Sequence, residues 1–244
     1  MDCQIFVISH DDEKYAAFME RLPEVLAHHG VTRIEYTPET APAPPDWWEC
    51  IPVAWVVVYA HLQCHKIAET NGKHAVVFEQ DAVFHPDFET RFREFIDHIP
   101  DNADQAYIGG QLLHEHIQRP HPVDANPYVL RGYNVHRAHA YITFHNALRR
   151  VIDHLEEPFW NCTQVIDWRL GYLHMQPDFH VYIPAADWMC GQAEGVSAPE
   201  RVIWFERWFP ISEEGKAKEA ERELKFRRCW LRENMAMLPV ESES

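Results

Sequence analysis

Positive charge is scarce in this chain. Its 244 residues carry 22 Lys and Arg against 38 Asp and Glu, a formal charge of −16. A nonspecific grip on nucleic acid or an anionic membrane needs basic side chains that neutralise phosphates, so both are disfavoured as partners, although a local basic patch is compatible with the total. Long apolar runs are missing as well: nothing approaches the roughly 18 continuous apolar residues of a membrane span. Met1-Asp2-Cys3 leads straight into a strand-like segment without a signal-peptide pattern. A soluble, cytoplasmic protein is the expectation. The six cysteines, Cys3, Cys50, Cys64, Cys162, Cys190 and Cys229, contain no Cys-x-x-Cys pair, which argues against a zinc ribbon or a dense disulfide framework. No internal repeat or low-complexity tract is visible.

What is present describes a packed globular chain. Hydrophobic residues make up 46% and aromatics 13% of the sequence, which excludes global disorder. The length suits one substantial α/β core and does not demand two domains. Seventeen histidines invite a zinc reading, and His61 and His65 share a helix face at i, i+4 spacing. The residues between them, Leu62-Gln63-Cys64, supply no metalloprotease acid, so structural histidines are the plainer reading.

The run His74-Ala75-Val76-Val77-Phe78-Glu79-Gln80-Asp81 carries the most chemistry. Ala75 to Phe78 is continuously apolar, as in a strand covered on both faces. It ends in two carboxylates two positions apart. If the extended backbone persists through Gln80, Glu79 and Asp81 project to one side, at the strand end where open α/β sheets place ligands. Hard oxygen ligands there suit Mg²⁺ or Mn²⁺ on a diphosphate. The bland alternative is a solvated loop.

Strands and helices alternate around this run. Cys3 to Ile8 reads as a strand, and Ser9, Asp11 and Asp12 are cap candidates for a helix that Gly30 stops. Val31 to Thr37 reads as a second strand. Pro38, Pro42, Pro44, Pro45 and Pro52 then mark an irregular loop bearing Trp47 and Trp48, either a lid over a substrate or a pin on the body. Val53 to Asn71 forms an apolar helix closed by Gly72. Helices are expected over Pro86 to Ile99, Ala147 to Leu155 and Val165 to Leu173, and strands at Gln105 to Ile108, Tyr128 to Leu130, Ala140 to Thr143 and Phe179 to Ile183. Alternating charges from Glu213 to Met237 suggest a terminal helix.

Several of these segments, in this order, resemble glycosyltransferase family 25, the lipopolysaccharide and collagen-type sugar transferases. The resemblance rests on Phe6-Val7-Ile8-Ser9-His10, on Cys64-His65 closing a helical signature, on Glu79-Gln80-Asp81 against Glu-Asp-Asp, and on Arg137-Ala138-His139-Ala140-Tyr141-Ile142 against Gly-x-x-Ala-Tyr-Ile. Asp167 before a helix and Gln192 with Ser197 complete it. Gln80 replaces the middle acid, Cys64 a serine, and the glycine before Ala-Tyr is absent.

The resemblance implies a GT-A-like, Rossmann-type α/β sheet flanked by helices over residues 1–210, with a C-terminal helical extension over 211–244. It implies transfer of a sugar from a nucleotide sugar, a UDP-sugar first, to an acceptor hydroxyl, with a glycan favoured. Asp81 and Glu79 would hold Mn²⁺ or Mg²⁺ against the diphosphate. Ser9, His10 and the backbone of Ile8 would meet the nucleotide, and Asp167 would act as general base. His139 would hold the sugar or leaving phosphate, His65 would orient the site, and Gln192, in a glycine-flanked turn, would close over the donor. Two alternatives stay open: hydroxymethylated bases of nucleic acid as acceptor, which the charge disfavours, and a noncatalytic nucleotide-sugar or carbohydrate-binding module.

Overall fold

The computed structural model describes residues 1–48, 50–112, 120–158, 165–194 and 201–205. The expected terminal helix and Ser197 lie outside them. The chain opens with strand β1 (Cys3–Ile8) and helix α1 (Asp12–Glu20), whose first turn is capped by Asp11, its carboxylate accepting from the Lys14 amide at 2.9 Å. The single helix expected up to Gly30 is instead interrupted. Pro23 lacks an amide hydrogen and cannot sit within a helix, so a short α2 (Glu24–Ala27) starts after it. Strand β2 (Val31–Ile34) follows, then the proline loop and α3 (Pro52–Thr70), with Pro52 in its first turn. Gly72, at φ 65°, closes α3: the Gly72 and Lys73 amides donate to the Glu69 and Ala68 carbonyls in a Schellman arrangement.

Strands β3 (His74–Glu79) and β4 (Ala82–Phe84) precede α4 (Phe88–His98), β5 (Gln105–Leu112), β6 (His121–Val123), β7 (Asn126–Gly132) and β8 (Val135–Thr143). Helices α5 (Leu148–Glu156) and α6 (Ile166–His174) lead to β9 (Val181–Pro184), β10 (Cys190–Glu194) and β11 (Arg201–Ile203). Eight strands form one sheet in the order β2-β1-β3-β8-β5-β9-β7-β6, and β11-β10-β4 form a second, smaller one. The architecture is the expected mixed α/β sheet flanked by helices.

Alternation along the central strands divides the core. Phe6, Ile8, Ala75 and Val77 face α3, α5 and α6, while Ile5, Val7, Val76 and Phe78 face Phe18 of α1 and Phe88, Phe92 and Phe95 of α4. Burial on both faces explains why β1 and β3 read as continuous apolar runs.

Topology then decides where the polar ends meet. β1 runs parallel to β2 and β3, β8 runs antiparallel to β3 and β5, and β5 is therefore parallel to β3. Phe78 pairs with Ala140, Gly109 with Ala140 and Gln111 with His136. The carboxyl ends of β1, β3 and β5 thus share one sheet edge with the amino-terminal half of β8.

Candidate functional site

Glu79 is the last residue of β3 and takes the face of Ala75 and Val77, the one covered by α3. The extended backbone does not continue past it. Gln80 and Asp81 form a turn, because the chain has to leave the central sheet for β4 in the smaller one. The two carboxylates nevertheless stay close. Burial first, and then the charge of Glu79, push the Asp81 carboxyl up to about 6. Asp81 Oδ2 accepts a long 3.5 Å contact from Gln192 Nε2, and Asp81 Oδ1 is buried with no hydrogen-bond partner on the protein.

Gln80 locks this turn to the end of β1. Its buried Oε1 accepts from Ser9 Oγ at 2.8 Å and from the His10 amide at 3.3 Å, its Nε2 contacts His10 Nδ1 at 3.1 Å, and its amide donates to the Ile8 carbonyl at 3.0 Å. An aspartate here would have no N–H₂ to give His10. The Ile8 carbonyl and the buried Ser9 hydroxyl are therefore engaged internally, and Ser9 is not the helix cap, a role that Asp11 fills. His10 is exposed and stands edge-on to Tyr36, with ring centroids 4.8 Å apart. Burial and the nearby charges of Glu79 and Asp81 raise the Tyr36 hydroxyl to about 12, so it stays a protonated donor beside the carboxylates.

Behind Glu79 runs a buried polar chain. His61 Nε2 lies 3.3 Å from Glu79 Oε1, His61 Nδ1 is 2.8 Å from the Tyr141 hydroxyl, and that hydroxyl is 3.4 Å from His65 Nε2. His65 Nε2 also meets Thr143 Oγ1 at 3.1 Å; Gln105 Nε2 donates to Thr143 Oγ1 at 2.8 Å; and Gln105 Oε1 is 2.8 Å from His174 Nε2. The two ends fix their own polarity. The Val135 amide donates to His174 Nδ1, so His174 Nε2 carries the proton that goes to Gln105 Oε1, and the Glu79 carboxylate can only accept, so His61 Nε2–H donates to it. Burial holds the pKa of both His65 and His174 at about 3, so both are neutral. His65 thus acts two groups behind Glu79, as a support and not as a contact.

Burial raises Glu79 by itself, but the hydrogen bond from His61 and positive charge nearby, Arg137 among it, outweigh it and leave the carboxyl below its ordinary value. With 28% of its side chain exposed, Glu79 keeps a free edge toward solvent.

β8 supplies the third wall. Register shifts against β5 push Arg137, Ala138 and His139 out of regular pairing, and Arg137 takes a φ of 69°. That left-handed backbone favours glycine, the residue whose place Arg137 fills in the Gly-x-x-Ala-Tyr pattern. Asp167, at the start of α6, reaches into the bulge: its Oδ1 accepts from the Ala138 amide at 2.9 Å. It caps this strand irregularity instead of its own helix. Burial and the Glu79 charge raise its pKa. His139 is wholly buried, with Nε2 3.4 Å from the Cys190 carbonyl and Nδ1 unpartnered, and burial lowers it to about 4. It is a neutral wall, able to reach a ligand only if the site opens. A Cβ at Gly109 would lie 2.5 Å from its Nε2, so the ring needs a glycine opposite.

Gln192 departs from expectation. It lies in β10, paired with Ala82 and Ile203, and not in a turn, because the apolar edge of β4 gives its backbone a partner. The sequence reading missed Tyr36 and Arg137 altogether; for Arg137 the absent glycine was the available signal. Elsewhere, a concavity of about 410 Å³ at the amino end of β1 is lined by Gln4, Thr32, Asn71 and Lys73 among others, and by none of the carboxylates. Cys3, Cys50, Cys64 and Cys190 are free thiols.

No family model and no curated protein matches this chain. Among solved structures it is similar to a glycosyltransferase involved in the glycosylation of the major capsid of PBCV-1, with 14% identity over 74% of this chain and 81% of that one, at a TM-score of 0.44.

Proposed function

We propose that the chain is a metal-dependent glycosyltransferase that moves a sugar from a nucleoside-diphosphate sugar, a UDP-sugar first, to an acceptor hydroxyl, with a glycan favoured. One observation supports this above the others: Glu79 and Asp81 are crowded together at the carboxyl end of β3, with Asp81 Oδ1 buried and unpartnered. Such crowding is unfavourable without a cation. Among the described residues no group of three or more His, Cys, Asp or Glu is placed to hold a metal, so Mn²⁺ or Mg²⁺ would take Asp81 and the free edge of Glu79 and complete its shell from the donor diphosphate and water. When bound, the ion neutralises charge on the departing nucleoside diphosphate.

The chain's own residues do the rest. His61 holds one oxygen of Glu79 and aims the other outward. Gln80 fixes the nucleotide-side loop through Ser9 and His10, which leaves His10 and Tyr36 as the groups free to meet a base or ribose. Asp167, its carboxyl raised and held by the Ala138 amide, takes the acceptor proton.

Calorimetry with UDP-, GDP-, ADP- and dTDP-sugars, with and without Mn²⁺, followed by slow hydrolysis assays, tests the reading. Metal and donor should strengthen each other's binding, and Asp81→Asn should abolish that coupling while Gln80→Ala leaves more of it. Donor binding indifferent to chelator removes the metal; coupled binding with no turnover on any acceptor favours a binding module.

A further inference from the structure

Glu79 and Asp81 meet at the end of β3, and Asp167 reaches the neighbouring bulge of β8, where its Oδ1 accepts from the Ala138 amide at 2.9 Å. Even with a divalent ion in place, adding a diphosphate leaves the site strongly negative, so a fixed cation is needed. Lys14, on the first helix, acts on Asp81 from one side. On the other side stands Arg137, whose charge acts on Glu79, His139 and Asp167 alike.

Arg137 is held there at a conformational cost. An arginine in the left-handed region, in the middle of a strand, is disfavoured relative to glycine, and such outliers persist only where the surroundings over-determine them. The surroundings do so here. Asp167 fastens the next amide, Gln111 Oε1 lies 3.5 Å from Arg137 Nε, and the guanidinium sits 4.7 Å above the Phe205 ring, which also flanks His139 at 5.8 Å. The half-buried side chain thus stands beside the bulge that Asp167 fastens, where its charge acts on Glu79 and Asp167, and a flat guanidinium suits two phosphate oxygens at once.

Resting on the nucleotide-sugar reading, we propose that Arg137 is the protein cation that receives the donor diphosphate, and that the strained backbone at this position is retained to aim it.

The test uses Arg137→Gly, Arg137→Gln and Arg137→Lys. Binding of UDP, GDP, ADP and dTDP, of inorganic pyrophosphate with Mg²⁺, and of uridine as a phosphate-free control is measured by calorimetry, and melting temperature by scanning fluorimetry. Removing a charge-assisted phosphate contact should weaken diphosphate and pyrophosphate binding roughly tenfold to a hundredfold, with uridine unaffected and Arg137→Lys intermediate. Arg137→Gly, freed of the left-handed penalty, should melt at or above the wild-type temperature. Loss of affinity together with undiminished stability supports the proposal. Wild-type-like pyrophosphate and nucleotide affinity in Arg137→Gln overturns it while the nucleotide-sugar reading stands. A wild-type protein that binds neither any nucleoside diphosphate nor pyrophosphate sinks both.

Discussion

Replacing a buried histidine of the polar chain with a side chain that does not titrate offers the sharpest check on the interior. His174 accepts the Val135 amide at 3.2 Å, lies 2.8 Å from Gln105 Oε1, and packs edge-on to Tyr107 at 5.1 Å. Burial, then the charge of His154, lower its pKa from 6.5 to about 3. The sign follows from where protons bind. Above pH 6.5 neither folded nor unfolded chain holds a proton at His174; as pH falls below that value the unfolded chain takes one up and the folded chain does not, so stability declines down to the folded pKa. At about pH 5 the loss from this one group is about 2 kcal/mol, on the order of one and a half pKa units. His174→Gln keeps an acceptor for Val135 and a donor for Gln105 but no longer titrates. At about pH 7.5 the variant should be less stable than wild type by about 1–3 kcal/mol, through poorer ring packing and hydrogen-bond geometry. At about pH 5 that gap should shrink by about 2 kcal/mol, since only the wild type has lost the His174 contribution. The buried histidines His65, His139 and His154 titrate in both proteins and largely cancel in the comparison. Urea unfolding at the two pH values measures all four free energies. An unchanged gap would refute a neutral, buried His174 and with it the Nε2–H assigned toward Gln105.

Asp167→Asn retains an oxygen for the Ala138 amide but cannot accept a proton, so kcat should fall at least 100-fold with donor affinity nearly intact; a folded variant with normal turnover dismisses the general-base role. Trp47 and Trp48 pack on the buried Trp55 at 6.2 and 5.2 Å, and the Arg169 guanidinium lies 5.5 Å from the Trp47 ring. Trp47→Ala should therefore cost about 1–3 kcal/mol in urea unfolding while donor affinity is unchanged. Full stability with a raised acceptor KM would instead make these rings a recognition surface.

Local chemistry determined much of this protein from its sequence. The apolar runs of β1 and β3, the helical stripe of α4 and the Gly72 end of α3 depend on neighbours within a few residues, and the structure places them where the periodicity does, with Pro52 joining the first turn of α3 instead of the loop before it. Glu79 and Asp81 were legible for the same reason, as carboxylates at the end of a buried strand. Pro23 carried a local signal too, which the apolar periodicity across it masked.

Tertiary structure decided the rest. That β8 runs antiparallel between β3 and β5 is a property of long-range pairing that brings Arg137 and His139 to the carboxylates, and the packing of α6 on β8 adds Asp167. By sequence Gln80 is a lost acid; in the fold its amide joins Ser9 and His10, some 70 residues away in sequence. His61 and His65 have the spacing of a metal pair, yet His61 is taken up by Glu79 and the Tyr141 hydroxyl, and burial keeps His65 neutral beside Thr143, because desolvation opposes its charge. The missing glycine of the Gly-x-x-Ala-Tyr pattern marked position 137, but only the fold shows that its arginine is left-handed: a strand bulge and a carboxylate from a distant helix together hold a conformation that the residue by itself would avoid.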